Sequence, residues 1–335
     1  MKLNILKKIT AIGLCIPMII TGCSNDKVES NKSNDEKESE ITYKIGITEY
    51  MEHPSLDAAR EGFVDEMEKL GINIEVDYVN AQGDTSNTQV IAEKFAKDKV
   101  DLIYSIATLS TQAAKKATEN TDIPVLFTAV TDPVYSQIVK ATDEIDANVT
   151  GVTDKVEAKE ILKLAKDLKD GAKVVGIIYN TGESNSEIQI EEVKAAASEL
   201  YMTVETVGIT SVNDIPQAMN TLAEKIDVLY MISDNMVASA IQLVSNLAIE
   251  KNIITLSTIE SQAADGVLIS NGLSYTELGR QTAAMAKKIL VDKVDIKDIH
   301  VESPTELKKI VNSKTMEALG LTKDNKAFEG AEFLE

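Results

Sequence analysis

The sequence predicts an α/β protein made of two doubly wound βαβ lobes joined by a three-segment hinge. From Tyr43 onward, short β-rich runs alternate with amphipathic helical patterns, which is typical of parallel sheets covered by helices. The alternation of strands and helices restarts near residue 150, which gives two successive sets of βα units. Each set is too small to form one large sheet, so two lobes are expected. The chain has 335 residues, and single cores stop growing near ~250–300 residues, which also favours two lobes.

The first 22 residues predict a secretion signal rather than a folded element. Three lysines form a basic start, and the apolar run 9–20 is too short to span a bilayer. The run ends in "ITGC", which resembles a bacterial lipobox with Cys23 as the lipidated residue. The one other cysteine, Cys15, lies inside the signal, so the body of the chain would hold no free thiol.

Residues 23–40 predict a lipidated cysteine followed by a flexible tether, because residues 24–40 hold one aliphatic side chain in seventeen. An anchor and tether of this kind would hold the globular part at the extracellular face of the cell membrane. Lipid anchoring suits a cell without an outer membrane, which favours a Gram-positive surface.

The charge and the sparse nucleophiles exclude several functions. A formal charge of −20 opposes nucleic-acid binding and favours a soluble monomer. A repressor is disfavoured because a signal stands where a DNA-binding headpiece would be. The two histidines, His53 and His300, lie far apart, and there is no Gly-x-Ser-x-Gly elbow and no His/Cys cluster. We therefore expect no catalytic residue, no metal site and no cofactor.

The first lobe is predicted to hold four βα units. Its strands are expected at 43–50, 73–81, 100–107 and 123–130. Its helices are expected at 55–71, around 90–96, at 110–120 and at 131–140. In the first helix, Leu56, Ala59, Phe63, Met67 and Leu70 recur at helical spacing, and Gly71 closes it.

The second lobe is predicted to continue the same alternation. Strands are expected at 173–180, 202–210, 227–233, 252–258, 267–274 and 307–313. Helices are expected at 156–171, 186–200, 214–225, 235–251, 275–290 and 314–320. Crossings near 150, 270 and 300 would form the hinge. The lobes would then be 41–152 with about 275–299, and 153–270 with about 301–335.

The loops that follow the strands carry the candidate site, because ligands of such folds bind at the carboxyl ends of strands. These loops are 49–55, 80–86, 107–111, 129–133, 179–186, 233–236 and 257–262. They are rich in hydroxyls, amides and carboxylates and contain no lysine or arginine. Taken singly, each Ser, Thr, Asp or Asn is also explained as a helix N-cap.

The loop composition favours a zwitterion over a phosphate. The loop "NTGESNS" has one glycine and no base, unlike a phosphate cradle. Helix N-termini and hydroxyls suffice for a carboxylate. The loop carboxylates need water or a cation, which a ligand ammonium would supply; they are Glu49, Asp132, Glu183, Asp234 and Glu260. Together the two charges describe an amino acid.

Several motifs spread along the chain resemble one family. They are "FTAVTDPV", "NVTGVTD", "VVGIIYNTGESNS", "SDNMV" and "ELGRQTAAMAKKIL". They are similar to the substrate-binding lipoproteins of ABC importers, in the branch associated with tryptophan and tyrosine uptake, over about residues 41–325. The resemblance implies a type I periplasmic-binding fold, ligand capture by hinge closure, and delivery to a membrane permease with its ATPase.

The resemblance also implies the ligand-contacting residues. On the N-lobe face they are Glu49, His53, Thr108, Ser110, Phe127 and Asp132. On the C-lobe face they are Asn180, Glu183, Ser184, Asn185, Ser186, Asp234 and Asn235. Asp234 is the first choice for the ligand ammonium. For His53, a role at the start of a helix beside Pro54 is an equal alternative.

The side chain of the ligand is the least determined feature. Tyr50, Phe127, Tyr179 and Tyr230 lie near strand ends and could form an aromatic wall or belong to the core, with the core favoured for Tyr230. Tyr135 departs from the small residue usual in the family, so specificity does not transfer directly. We expect tyrosine, then tryptophan or phenylalanine. The alternative function is a surface adhesin or sensory binding protein with the same fold.

Overall fold

The computed structural model describes residues 41–145 and 147–335. The predicted secretion signal, the lipidated Cys23 and the tether lie outside the described residues. Within the described part, no helix is long and apolar enough to cross a membrane.

The first sheet has five parallel strands in the order β2-β1-β3-β4-β5. Their bounds are β1 (Thr42–Glu49), β2 (Asn73–Asn80), β3 (Leu102–Ile106), β4 (Val125–Val130) and β5 (Val149–Thr153). Strands β3, β4 and β5 are buried along their whole length, as expected for Val- and Ile-rich strands covered on both faces.

The second sheet has seven strands in the order β12-β11-β10-β9-β8-β6-β7. Their bounds are β6 (Val174–Asn180), β7 (Thr203–Ile209), β8 (Val228–Met231), β9 (Ile254–Ile259), β10 (Ile269–Leu273), β11 (Lys308–Asn312) and β12 (Glu332–Leu334). Strand β11 runs antiparallel to β10, whereas the other pairs are parallel. The short edge strand β12 was not predicted.

Helices cover both faces of each sheet. Their bounds are α1 (Pro54–Lys69), α2 (Thr85–Asp98), α3 (Thr108–Thr118), α4 (Ala158–Leu168), α5 (Ser184–Glu199), α6 (Ile215–Ala223), α7 (Asn235–Ser239), α8 (Ile241–Glu250), α9 (Tyr275–Leu290) and α10 (Ser313–Ala318). In the N-lobe, α1 and α9 pack on one face of the five-stranded sheet, and α2 and α3 pack on the other. In the C-lobe, α4 and α5 lie opposite α6, α7 and α8. The predicted fold class is confirmed.

Two predicted helices differ in the structure. Residues 131–140 form turns rather than a helix after β4. The Asp132 carboxylate accepts the backbone N–H groups of Val134 and Tyr135, and Gln137 has a left-handed φ of +57°, which ends any helical run. The helix predicted over 235–251 is two helices, α7 and α8, because the backbone leaves the helical conformation at Ala240 (ψ 24°).

Three segments carry the chain between the sheets. The first runs from the end of β5 to α4, the second from β10 to α9, and the third from α9 to β11. The segment predicted as the first crossing is itself mostly strand β5, and the crossing follows it. Val152 of β5 forms a parallel bridge with Glu302 of the third segment, so these two crossings lie side by side.

Candidate functional site

A small cavity of about 10 Å³ lies between the lobes at the carboxyl ends of their strands. Its lining combines polar and apolar side chains from both lobes: His53, Leu56, Ala129, Asp154, Asn185, Ser233, Asp234, Asn235, Ala238, Ile259 and Tyr275. Four of the predicted site residues, His53, Asn185, Asp234 and Asn235, belong to this set. A larger surface depression of about 1030 Å³ lies at the other end of the N-lobe sheet, where β4 and β5 begin.

Side-chain contacts join the lobes around this cavity. Nε2 of His53 lies 3.3 Å from Oδ1 of Asn235. Nε2 of Gln189 on α5 donates to the Thr131 hydroxyl at 3.3 Å. The hydroxyls of Ser55 on α1 and Ser261 after β9 lie 3.2 Å apart. The cleft between the lobes is therefore closed.

Asp154 presents a free carboxylate oxygen in the cavity lining. The residue is 4% exposed and directly follows β5 in the first crossing. Its Oδ2 accepts the Tyr275 hydroxyl at 2.6 Å, whereas its Oδ1 is buried and has no hydrogen-bond partner among residues 41–145 and 147–335. Burial raises the pKa of Asp154, against the opposing effect of the hydrogen bond that it accepts from Tyr275.

Two further buried polar atoms of the lining residues also lack a partner within the described part of the chain, namely Oδ1 of Asn185 and Nδ1 of His53. The amide of Asn185 is oriented by its Nδ2, which donates to Oε2 of Glu183 and to the Ser233 carbonyl. Its Oδ1 is therefore the free acceptor. Asn185 is 3% exposed and His53 is 5% exposed, so both are buried.

Glu183 has the opposite character, because the protein itself saturates its carboxylate. Oε1 accepts the Asn180 side-chain amide and the Met236 N–H, at 3.1 and 3.2 Å. Oε2 accepts from the Asn185 amide and from both the backbone and side-chain N–H groups of Asn235. The residue is fully buried, and these donors replace its hydration. It lies beneath the cavity rather than in its lining.

Asp234 was the residue predicted to hold the ammonium, but its carboxylate is also occupied. Oδ1 caps α7 by accepting the Val237 N–H at 2.9 Å, and Oδ2 accepts the Asn180 N–H at 2.6 Å and the Ser186 hydroxyl at 2.7 Å. Burial, and next the Glu183 charge, raise the pKa of Asp234 to about 7. Its observed role is to cap α7 and join two C-lobe loops.

The other loop carboxylates, which were expected to need water or a cation, lie near cations from outside the loops. Nε of Arg60 on α1 lies 3.4 Å from Oε2 of Glu49, and Lys155 lies 3.6 Å from Asp132. Lys308 of β11 lies 3.5 Å from Glu260. Within the described residues, no lysine or arginine forms an ion pair with Asp154, Glu183 or Asp234. No set of side chains there could hold a metal ion.

The remaining predicted residues lie outside the cavity lining. Phe127 is fully buried in the apolar cluster under α2 and α3 and packs on Gly151. Thr108 and Ser110 are buried in the first turn of α3. The others, Asn180, Ser184 and Ser186, belong to the loop and helix start around Glu183.

The candidate aromatic wall also belongs to the packed protein. Tyr50 and Tyr230 are both 3% exposed and lie in the lobe cores, and Tyr179 packs against the C-lobe core. Tyr135 is 48% exposed.

Comparison with known proteins identifies the family. The family described as ABC transporter substrate binding protein matches residues 44–332. The chain belongs to this family. The resemblance drawn from the sequence motifs is thereby confirmed, and the two-lobed architecture is that of type I periplasmic-binding proteins.

Relatives of this ABC transporter substrate-binding protein include proteins described by tyrosine or tryptophan binding. It is 40% identical to a tyrosine-binding protein of Clostridioides difficile, over 91% of this chain and 89% of the relative. It is 28% identical to a Streptococcus pneumonia protein solved in complex with L-Trp, over 88% of this chain and 100% of that one, with a TM-score of 0.82. A substrate binding protein with adhesive properties from Clostridium difficile, solved ligand-free and open, is 41% identical over 88% and 99%, with a TM-score of 0.67.

Of the two solved structures, the one with the lower sequence identity to this chain has the higher TM-score. The less similar sequence, solved with L-Trp, superposes better than the more similar sequence in its open form. This order is expected for closed lobes and agrees with the contacts across the cleft.

Sequence reasoning missed Asp154 and Tyr275. Asp154 ends the motif "NVTGVTD", which was assigned to a crossing, although it stands just past a strand end like the other loop carboxylates. Its position after β5 was the signal that could have found it. Tyr275 opens α9 after the second crossing, and its pairing with Asp154 spans 121 residues, which no local pattern encodes.

Proposed function

We propose that this protein is the extracellular, lipid-anchored solute-binding component of an ABC importer for an aromatic amino acid. Tyrosine is favoured, followed by tryptophan and phenylalanine. The protein would capture the ligand by hinge closure and deliver it to a permease with its ATPase. No catalytic step is part of this proposal.

One observation carries the proposal: three buried polar atoms that have no hydrogen-bond partner among residues 41–145 and 147–335 line one cavity, and one of them belongs to a carboxyl group that forms no ion pair with a lysine or arginine of those residues. They are Oδ1 of Asp154, Oδ1 of Asn185 and Nδ1 of His53. An ammonium group has three N–H donors and one positive charge, which matches this set in number and sign. A sugar could donate hydrogen bonds to these atoms, but it would not supply the positive charge that stabilises an ionised carboxylate at a buried position such as that of Asp154.

The apolar part of the lining suits a hydrophobic side chain. Leu56, Ile259 and the ring of Tyr275 adjoin the acceptors. The closed cavity of about 10 Å³ has no room for an aromatic ring. The ligand would therefore enter the open form, and the lobes would close over it to a form whose cavity is wider than the one described here. The preference for tyrosine rests on the 40% identical relative described as tyrosine-binding.

Calorimetry on the purified protein tests the ligand class. L-tyrosine should bind, whereas 3-(4-hydroxyphenyl)propionate, which has the same ring and carboxylate but no ammonium, should bind at least about 100-fold more weakly, since a buried unpaired charge costs several kcal/mol. L-tryptophan, L-phenylalanine, L-leucine and glucose complete the series. Binding of glucose without binding of any L-amino acid would overturn the assignment.

Surface adhesion is the second candidate, because the 41% identical Clostridium difficile protein is described as having adhesive properties. Deletion of the gene separates the two functions. Loss of labelled amino-acid uptake with unchanged adhesion supports import, whereas unchanged uptake with reduced adhesion supports the alternative.

A further inference from the structure

A chain of three side chains runs from the interior of the C-lobe to the N-lobe wall of the cavity. It begins at Glu183, passes through Asn235 and ends at His53. All three residues are buried, and the last contact crosses the cleft. Each member constrains the hydrogen positions of the next.

Glu183 fixes the orientation of the Asn235 amide. The Glu183 carboxylate only accepts hydrogen bonds, and its Oε2 receives both the backbone N–H and the side-chain Nδ2 of Asn235. A flipped amide would point Oδ1 at the carboxylate and bring two acceptors together. Oδ1 of Asn235 must therefore face the other way, toward His53.

Asn235 in turn fixes the tautomer of His53. Oδ1 of Asn235 is an acceptor and lies 3.3 Å from Nε2 of His53, so Nε2 carries the proton. Burial lowers the pKa of His53 to about 4, although the bond to Asn235 and the Asp57 charge favour protonation, so the ring is neutral at pH 7. A neutral imidazole has one N–H, which leaves Nδ1 as an acceptor.

We propose that Glu183 is a positioning residue that acts through Asn235 to hold His53 as the Nε2–H tautomer, so that Nδ1 accepts a hydrogen bond from the ligand ammonium. The inference rests on the proposed function for the identity of the ligand. The opposite tautomer would present a donor at Nδ1, which would repel the ammonium and suit the ligand carboxylate instead. The tautomer of one histidine therefore selects which end of the zwitterion lies beside it.

The sequence makes the tautomer directly measurable, because the chain has two histidines. Protein labelled with ¹⁵N-histidine gives one set of imidazole signals for each, and a His300→Gln variant assigns them. Long-range ¹H–¹⁵N correlation distinguishes a protonated from an unprotonated ring nitrogen. With L-tyrosine bound, we expect His53 as a single Nε2–H tautomer, with its Nδ1 resonance shifted relative to the ligand-free protein.

Glu183→Gln tests the positioning role. A glutamine can donate as well as accept, so Asn235 loses its fixed orientation, and we expect a mixture of His53 tautomers and at least a 10-fold loss of L-tyrosine affinity. Glu187→Gln, an exposed position in the same helix, is the matched control. If Glu183→Gln does not fold, Asn235→Ala removes the His53 partner directly and should give the same loss of a single tautomer.

The outcomes separate this inference from the proposed function. A His53 Nδ1–H tautomer in the ligand-bound protein overturns the inference. An Nε2–H tautomer also overturns it if the Nδ1 resonance does not shift when L-tyrosine binds. Either result is compatible with tight L-tyrosine binding, which would leave the proposed function standing. Absence of amino-acid binding in calorimetry overturns the proposed function by itself.

Discussion

Asp154 and Glu183 have the same kind of side-chain group near the same cavity, but their surroundings differ in the number of donors that reach them. Five N–H groups from the protein bind Glu183, whereas one oxygen of Asp154 receives none from the described residues. The sequence predicted polar residues in this cleft, but it could not rank the carboxylates. Their donors come from distant loops, and Asn235 lies 52 residues from Glu183.

At the scale of single residues, Asp154→Asn tests the proposed contact between Asp154 and the ligand ammonium. Asparagine keeps an acceptor for the Tyr275 hydroxyl but removes the charge, so we expect L-tyrosine affinity to fall at least about 30-fold, corresponding to a loss of 2–5 kcal/mol for a buried charge pair. Calorimetry measures the change. Asp132→Asn is the control, since Asp132 is paired with Lys155 outside the cavity lining. If Asp154→Asn binds L-tyrosine with unchanged affinity, the ligand ammonium is bound by another residue.

Glu49 gives a pH-dependent prediction. Burial, and next the Asp57 charge, raise its pKa from 4.5 to about 8 despite the nearby Arg60. Between these values the folded state holds a proton that the unfolded state lacks, so this group's contribution to stability falls as pH rises through that window.

Glu49→Gln removes this titration and keeps an acceptor for Asn80. The unfolding free energy of the variant relative to wild type should therefore rise from pH 5 to pH 8 by more than about 1 kcal/mol, since one pKa unit is about 1.4 kcal/mol. Urea unfolding at the two pH values measures it, with the exposed Glu93→Gln as control for the substitution. A difference that falls with pH would show that Glu49 is ionised in the folded protein.

At the scale of helices and strands, the spacing of apolar residues predicted most elements. Both faces of each sheet are covered by helices, so the strands are apolar runs and each helix has one apolar face. This spacing was misleading at residues 131–140, where Ile138 and Val139 are buried in the N-lobe core without being helical. The carbonyls of Ser136 and Gln137 accept hydrogen bonds from Gln112 and Lys115 of α3. A tertiary contact thus replaces the helical hydrogen bonds that local spacing suggested.

The packing of α9 on α1 predicts an effect for Gly279→Ala. A Cβ at Gly279 would lie 2.0 Å from the Ala59 carbonyl oxygen, so the helices would have to separate. Alanine should stabilise a free helix by about 1 kcal/mol, but we expect the variant to lose about 1–3 kcal/mol of unfolding free energy through overpacking. Chemical unfolding measures it, and the exposed Ala284→Gly reports the propensity effect alone. A more stable Gly279→Ala variant would contradict the close packing.

For the whole molecule, the spaced motifs predicted the family and the two-lobed architecture, whereas the relative position of the lobes could not be read from them. Closure depends on pairs such as Ser55 with Ser261, which are 206 residues apart and carry no pattern of their own. Many such weak contacts act together, and their sum relative to the open form sets the lobe angle.

A disulfide across the cleft tests closure. Because the described part of the chain has no cysteine, Ser55→Cys with Ser261→Cys introduces a unique pair whose replaced hydroxyls lie 3.2 Å apart. Oxidation without ligand should abolish L-tyrosine binding, oxidation with ligand should slow its release, and reduction should restore both to wild-type behaviour. The single variants are the controls. Normal binding and release after complete oxidation would show that closure is not needed for capture.

The hydrogen bond from Tyr275 to Asp154 joins residues at the first and second crossings, so the proposed ammonium site is also part of the hinge. Whether a ligand fills the cleft and how far the lobes close can then differ from one ligand to another. A molecule that fills the apolar side of the cleft but carries no ammonium would leave this junction as it is in the empty protein. Under the proposed import function, we expect such a molecule to be a non-transported competitor, because the permease would then recognise the angle between the lobes rather than the ligand itself.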